Sequence, residues 1–241
     1  MKKKIIIFIF AIVLVFAGIH IFRNRKGVRR YRGLFLTEQD YIDTAERYMK
    51  DKYGDKFEGE YYFEDYVHAY PVDHPEWQVY INVERKDGFV YFHDNYVGFL
   101  KKAELESHIY ELVKPIYGEC KVYTRPYGFP LDDSWNRDTD IMTYVDRGNY
   151  TADIFTYGNI ERMETDFEKL CEIFESNKLE SNVTSTTYLT KDYFEIFEEK
   201  NMDYTYNYNK YLYSLYVIYD KKNETGFSEI KIMEGEENYG E

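Results

Sequence analysis

Few residues of this chain stand at the spacings that catalysis or metal binding requires. Its five histidines are His20, His68, His74, His93 and His108. His68 and His74 bracket a stretch that reads as a loop, and His93 falls on a nearby strand-like segment, so three imidazoles could meet at zinc. Zinc sites normally carry closely spaced ligands such as HExxH or CxxC, and neither pattern occurs. Asp132, Asp133, Asn136, Asp138 and Asp140 crowd one segment with the oxygen ligands that calcium takes. The sixth position counted from Asp132 is Arg137 rather than glycine, and the twelfth is Thr143 rather than glutamate, so the EF-hand spacing is not met. An acidic, solvated connector is the simpler reading, and Asp132, Asp133, Asp138 and Asp140 stand only as weak calcium candidates.

Nucleophilic chemistry finds little support. Cys120, in the run YGECKVY, would need a base such as His108 and a positive field to lower its thiol pKa. No G-x-S-x-G elbow and no glycine-rich phosphate loop occurs. Paired carboxylates could serve a glycosidase, but among 44 acidic residues some pairing is expected by chance. No cofactor is implied. Cys120 and Cys171 could form one disulfide outside a membrane, or stand as two buried thiols, the reading favoured by the apolar helical side on which Cys171 falls. Tyr204, Tyr206 and Tyr208 alternate as on one face of a strand. Such a face could stack sugar rings or peptide side chains, or simply pack across strands.

The segment that could position all this relative to a cell comes first. Met1-Lys2-Lys3-Lys4 precedes an uncharged run from Ile5 to Phe22, and Arg23, Arg25, Lys26, Arg29, Arg30 and Arg32 come after it. As a helix this run would be about 27 Å long, near the thickness of a bilayer core. The reading is a transmembrane signal-anchor at 5–22, a basic tail at 1–4 and a basic juxtamembrane linker at 23–36. Cleavage after Val15-Phe16-Ala17 is the alternative, against which the apolar run continues to Phe22. The short basic N-terminus favours export of the C-terminal side, whereas the Arg-rich second flank would keep that side in the cytoplasm. The expectation is a single-pass cell-membrane protein with an extracytoplasmic C-terminal domain.

That domain is acidic. Residues 37–241 hold all 44 Asp/Glu and 22 of the 31 Lys/Arg, a formal charge of −22. Such a field repels phosphate backbones, which excludes nucleic acid as a partner, and attracts basic peptides or cationic polymers. An aromatic content of 20% sets the chain apart from disordered acidic sequences.

The periodicities predict an α+β domain of mostly antiparallel sheet with about four short helices. A helix capped by Thr37 and Asp40 should run to Gly54. Strand sequence comes next at Phe57–Tyr70, then Trp77–Val83, with an Asp87-Gly88 hairpin turn into Phe89–Tyr96. A second helix is expected at Lys102–Tyr117, kinked or shortened by Pro115 and stopped by Gly118, before a strand at Glu119–Tyr127. The third, Thr165–Glu175, carries a Thr165/Glu168 capping box. The fourth spans Thr190–Glu199. Tyr204–Tyr219 and Phe227–Met233 read as closing strands. The organisation is a first α+β unit at 37–130, an acidic connector with strands at 131–164, a second unit at 165–233 and an acidic disordered tail at 234–241.

The helix-to-strand run Ala45–Phe57, AERYMKDKYGDKF, together with the basic-apolar start, resembles small membrane-anchored or secreted proteins of low-GC Gram-positive bacteria. The resemblance implies an envelope location and an α+β fold, and brings no activity or site residues. The resulting expectation is an envelope protein whose acidic, non-catalytic domain binds a protein or cell-wall polymer. The alternatives are an envelope hydrolase working through carboxylates or a divalent ion, and an inward-facing assembly or regulatory protein.

Overall fold

The computed structural model describes residues 30–31, 37–128, 131–146, 149–219 and 227–236. The expected anchor at 5–22 lies outside the described residues; no helix among those described is long and apolar enough to cross a membrane. The architecture is α+β, with two five-stranded sheets and, among the described residues, six α-helices and two short 3-10 turns.

The first sheet has β1 (Arg30–Tyr31), β2 (Phe57–Phe63), β3 (Tyr66–Pro71), β4 (Val79–Lys86) and β5 (Phe89–Asp94) in the order β1-β5-β4-β3-β2, all antiparallel. Two residues of the basic linker thus join its edge. The single strand expected at Phe57–Tyr70 is a hairpin, because Glu64 and Asp65 both take positive φ (47° and 63°). That tight turn lacks the Asn-Gly or Asp-Gly signal that marks Asp87-Gly88, where φ is 54° and 74°. Helix α1 (Glu38–Tyr53) covers one face. Thr37 and Asp40 form the reciprocal cap, and Gly54 ends the helix at φ 82°. Its Ile42, Ala45, Tyr48 and Met49 meet Val67, Ile81, Val83 and Phe92 in the core.

Helix α2 (Tyr96–Tyr117) begins six residues before the expected Lys102 and continues through Pro115. One local hydrogen bond and one close tertiary approach fall in its first turn. Asp94 Oδ1 accepts the Tyr96 N–H at 2.9 Å, and at Gly98 a Cβ would collide with Tyr144 and Pro126. The second sheet has β6 (Cys120–Pro126), β7 (Tyr150–Thr156), β8 (Val183–Tyr188), β9 (Tyr213–Ile218) and β10 (Lys231–Glu234) in the order β10-β9-β8-β7-β6. Between β6 and β7 stands α3 (Ile141–Asp146). β7 and β8 are parallel, joined through α4 (Met163–Ser176), a crossover that the periodicity did not foretell. The expected Thr165/Glu168 cap does not start α4: a 3-10 turn at Ile160–Arg162, capped by Asn159, leads into it at Met163.

α2 and α4 contribute Leu105, Ile109, Val113, Phe167, Leu170 and Phe174 to the main core, which runs through both sheets and includes Leu131 and Trp135 of the expected connector. A smaller core forms around Phe155. It is closed by α5 (Lys191–Ile196), capped by Thr190, and by α6 (Met202–Asn207).

Candidate functional site

The most unusual chemistry in the described structure is a charged cluster inside it. Lys52 sits in the last turn of α1 with its side chain 4% exposed, and Asp94 ends β5 with its side chain wholly buried. Lys52 Nζ lies 2.8 Å from Asp94 Oδ2 and donates to the Tyr48 hydroxyl at 3.0 Å. The same Asp94 Oδ2 accepts from the Tyr48 hydroxyl at 2.8 Å, while Oδ1 accepts from the Tyr53 hydroxyl at 2.7 Å. Asp133 enters from the 131–140 segment, its Oδ1 3.0 Å from the Tyr48 hydroxyl and 3.8 Å from Lys52 Nζ.

Helical spacing explains how α1 supplies three of these groups. Tyr48 and Lys52 stand four apart, so they share one face, and Tyr53 adjoins Lys52. Lys52 Nζ lies over both phenol rings, 5.3 Å from the centroid of Tyr48 and 5.1 Å from that of Tyr53. Burial, reinforced by the Asp94 carboxylate, drives both phenols far above their ordinary pKa, so each acts as a donor. Around this centre Asp55 accepts from the Tyr96 hydroxyl at 2.9 Å and pairs with Arg137, whose Nε donates to the Tyr53 carbonyl at 3.1 Å. Two carboxylates therefore face one ammonium in a dry pocket, an arrangement whose energetics depend on every partner staying in place.

A second polar cluster lies between the second sheet and α6. Asp153 on β7 is buried and accepts from Ser185 Oγ at 2.6 Å and from the Tyr206 hydroxyl at 3.3 Å. Arg125 reaches it at 3.4 Å and also Asp203 at 3.4 Å. Thr187 links Tyr206 (3.1 Å) to Ser214 (3.0 Å). The parallel pairing of β7 and β8 sets Asp153 directly beside Ser185. Sequence reasoning singled out neither cluster, since each joins residues separated by tens of positions with no local motif.

Of the residues it did single out, Asp133 and Tyr206 fall within these clusters and the others stand elsewhere. The four aspartates are dispersed. Asp132 accepts from the Ser134 N–H and hydroxyl at 2.9 and 2.6 Å, Asp140 caps α3 through the Met142 N–H at 2.9 Å, Asp133 faces Tyr48 and Lys52, and Asp138 is exposed. Among the described residues no group of three or more His, Cys, Asp or Glu is placed to hold a metal. His68 stacks on Tyr61 at 4.1 Å and meets Tyr80 edge-on at 4.7 Å. His74 stacks on Trp77 at 4.0 Å, and His93 lies 3.5 Å from Glu84.

Cys120 and Cys171 are free thiols, and burial pushes each up to about 11, opposite to the shift a nucleophile needs. Tyr204, Tyr206 and Tyr208 are not a strand face but part of helix α6 and its cap. Residues two apart on a helix point about 200° from each other, and those four apart share a side. Tyr204 and Tyr208 accordingly pair outside at 4.8 Å, 53% and 60% exposed, while Tyr206 turns inward to Asp153. Sequence reasoning passed over the S-x-x-K spacing of Ser228 and Lys231, where Ser228 Oγ accepts the Ile218 N–H at 3.0 Å and Lys231 lies over the Tyr216 ring.

With this geometry in view, comparison with known proteins adds little. No family model and no curated protein matches the chain. The crystal structure of a DUF5037 family protein from Ruminococcus gnavus ATCC 29149 is similar over 74% of this chain and 91% of its own, at 14% identity and a TM-score of 0.38. That likeness is too slight to carry a function across.

Proposed function

We propose that the chain is a single-pass membrane-anchored protein whose acidic α+β domain, on the outer side of the bilayer, binds a positively charged protein segment or cell-wall polymer. The observation that carries it is the uncharged run 5–22 between basic flanks, ahead of a region with 22 Lys/Arg against 44 Asp/Glu.

The position of β1 adds a constraint on reach. From Phe22 to Arg30 there are eight residues, at most about 28 Å when fully extended, so an anchored first sheet stands close to the bilayer surface. One face of that sheet offers suitable chemistry. Tyr61 and Phe63, 48% and 60% exposed, stand on β2 beside the exposed Glu58 and Glu60. Aromatic area flanked by carboxylates suits a cationic partner through cation–π contact and charge complementarity.

Protease treatment of intact protoplasts carrying a C-terminal tag tests the topology. Loss of the tag, with a cytoplasmic control protected, supports the outward reading; a protected tag overturns it and leaves the inward-facing assembly protein that the Arg-rich flank allows. Binding to envelope extracts should then weaken steeply with added salt, and salt-insensitive retention would count against a charge-driven partner.

A further inference from the structure

The Lys52–Asp94 contact has the make-up of a reacting pair as well as of an ion pair. An amine and a carboxyl group touch in a largely buried site, Nζ to Oδ2 at 2.8 Å, with a second carboxylate, Asp133, 3.8 Å from the same nitrogen. Asp94 Oδ1 is held by two donors, the Tyr53 hydroxyl at 2.7 Å and the Tyr96 N–H at 2.9 Å, as the oxyanion of an acyl-transfer intermediate would be. The Tyr48 hydroxyl touches both carboxylates, at 2.8 Å and 3.0 Å, so it can pass a proton from one to the other.

We propose that Lys52 and Asp94 join spontaneously in the folded domain through an isopeptide bond between Nζ and Cγ. Asp133 takes a proton from the ammonium and relays it through the Tyr48 hydroxyl to Asp94 Oδ2, and the freed amine lone pair attacks Cγ of the resulting carboxylic acid to form the C–N bond. The carbonyl electron pair moves onto Oδ1, between Tyr53 and Tyr96. Collapse of this intermediate breaks the Cγ–Oδ2 bond, and Oδ2 leaves as water. Of the three ammonium protons, one stays on the amide nitrogen and two depart on Oδ2, delivered through Asp133 and the Tyr48 hydroxyl. Asp133 ends in its starting state, nothing is oxidised or reduced, and no co-reactant is needed. The step exchanges two buried charges for a neutral amide, which relieves their desolvation, and the fold supplies the proximity that separate reactants in water lack.

The test is a peptide map of the full chain, purified in detergent and incubated folded before digestion. Trypsin does not cut after an acylated lysine. The expected product is a branched peptide joining 51–56 to 87–101, lighter by one water than the two together. Asp87-Gly88 can also lose water by forming a succinimide, but that loss stays within 87–101 and joins nothing. Recovery of 51–52, 53–56 and 87–101 as separate peptides, from protein that unfolds cooperatively, overturns the proposal without reference to any variant. Asp94→Asn should still cross-link, expelling ammonia in place of water, and Lys52→Arg should not. Asp133→Asn should slow linking by at least about tenfold; linking at the unaltered rate would remove Asp133 from the mechanism.

Discussion

Replacing Lys52 with methionine is the most informative single change, because it keeps the length of an apolar stem and removes only the ammonium. Asp94 would then stay wholly buried with its cation gone, and Asp133, with a side chain only 9% exposed, would lose the ammonium 3.8 Å away. Breaking a buried ion pair from one side costs about 3–5 kcal/mol. The Tyr48, Tyr53 and Tyr96 donors remain on Asp94, which places the loss near the lower end, about 3 kcal/mol. If the isopeptide bond forms, Lys52→Met also opens a covalent loop between positions 42 apart. Chain-entropy reasoning of the kind used for disulfides puts that at about 4 kcal/mol more. The total of about 7 kcal/mol would rival the whole stability of a typical domain.

Urea unfolding of the full chain in mild detergent, monitored by Trp77 and Trp135 fluorescence, measures the difference. A loss near 3 kcal/mol identifies an ion pair, and one near 7 the cross-link. In the double variant Lys52→Met/Asp94→Asn the penalties should fall short of additivity by at least about 1.5 kcal/mol. A Lys52→Met loss below about 1 kcal/mol, the range of exposed pairs, would refute the picture of a dry, coupled cluster.

Three further outcomes rest on the same structure. Ser185→Ala removes a 2.6 Å donor from the buried Asp153 and should lower unfolding stability by about 1.5–3 kcal/mol in the same urea experiment. With both thiols pushed up to about 11, native alkylation at about pH 8 should run roughly a hundredfold slower than in the unfolded chain, read by mass spectrometry of labelled peptides; equal rates would contradict their burial. Burial between Tyr61 and Tyr80 lowers the His68 pKa below 6.5, partly offset by Glu60. The unfolded chain thus takes up its proton first, so this contribution is complete above about pH 6.5 and is lost as pH falls towards the depressed value, a dependence that His68→Gln should reduce in urea midpoints.

The features legible in the sequence were local. Thr37, Asp40 and Gly54 bound α1 because capping and left-handed termination need only neighbouring residues. Asp87-Gly88 marks its hairpin for the same reason. The charge of 37–241 and the uncharged run at 5–22 are sums over residue types and need no fold.

Contacts between distant positions decided the rest. Alternating tyrosines at 204, 206 and 208 satisfy a strand pattern, yet here they form a helix with one ring inside, because Tyr206 finds Asp153 and Thr187 on the sheet. The parallel β7–β8 pair depends on α4 crossing between them. Lys52, Asp94 and Asp133 belong to a helix, a strand end and an expected connector, and only tertiary packing brings them together. Burial then alters what these groups can do: in water a lysine and two aspartates are ordinary solvated charges, whereas in a dry core their pairing and reactivity depend on each neighbour.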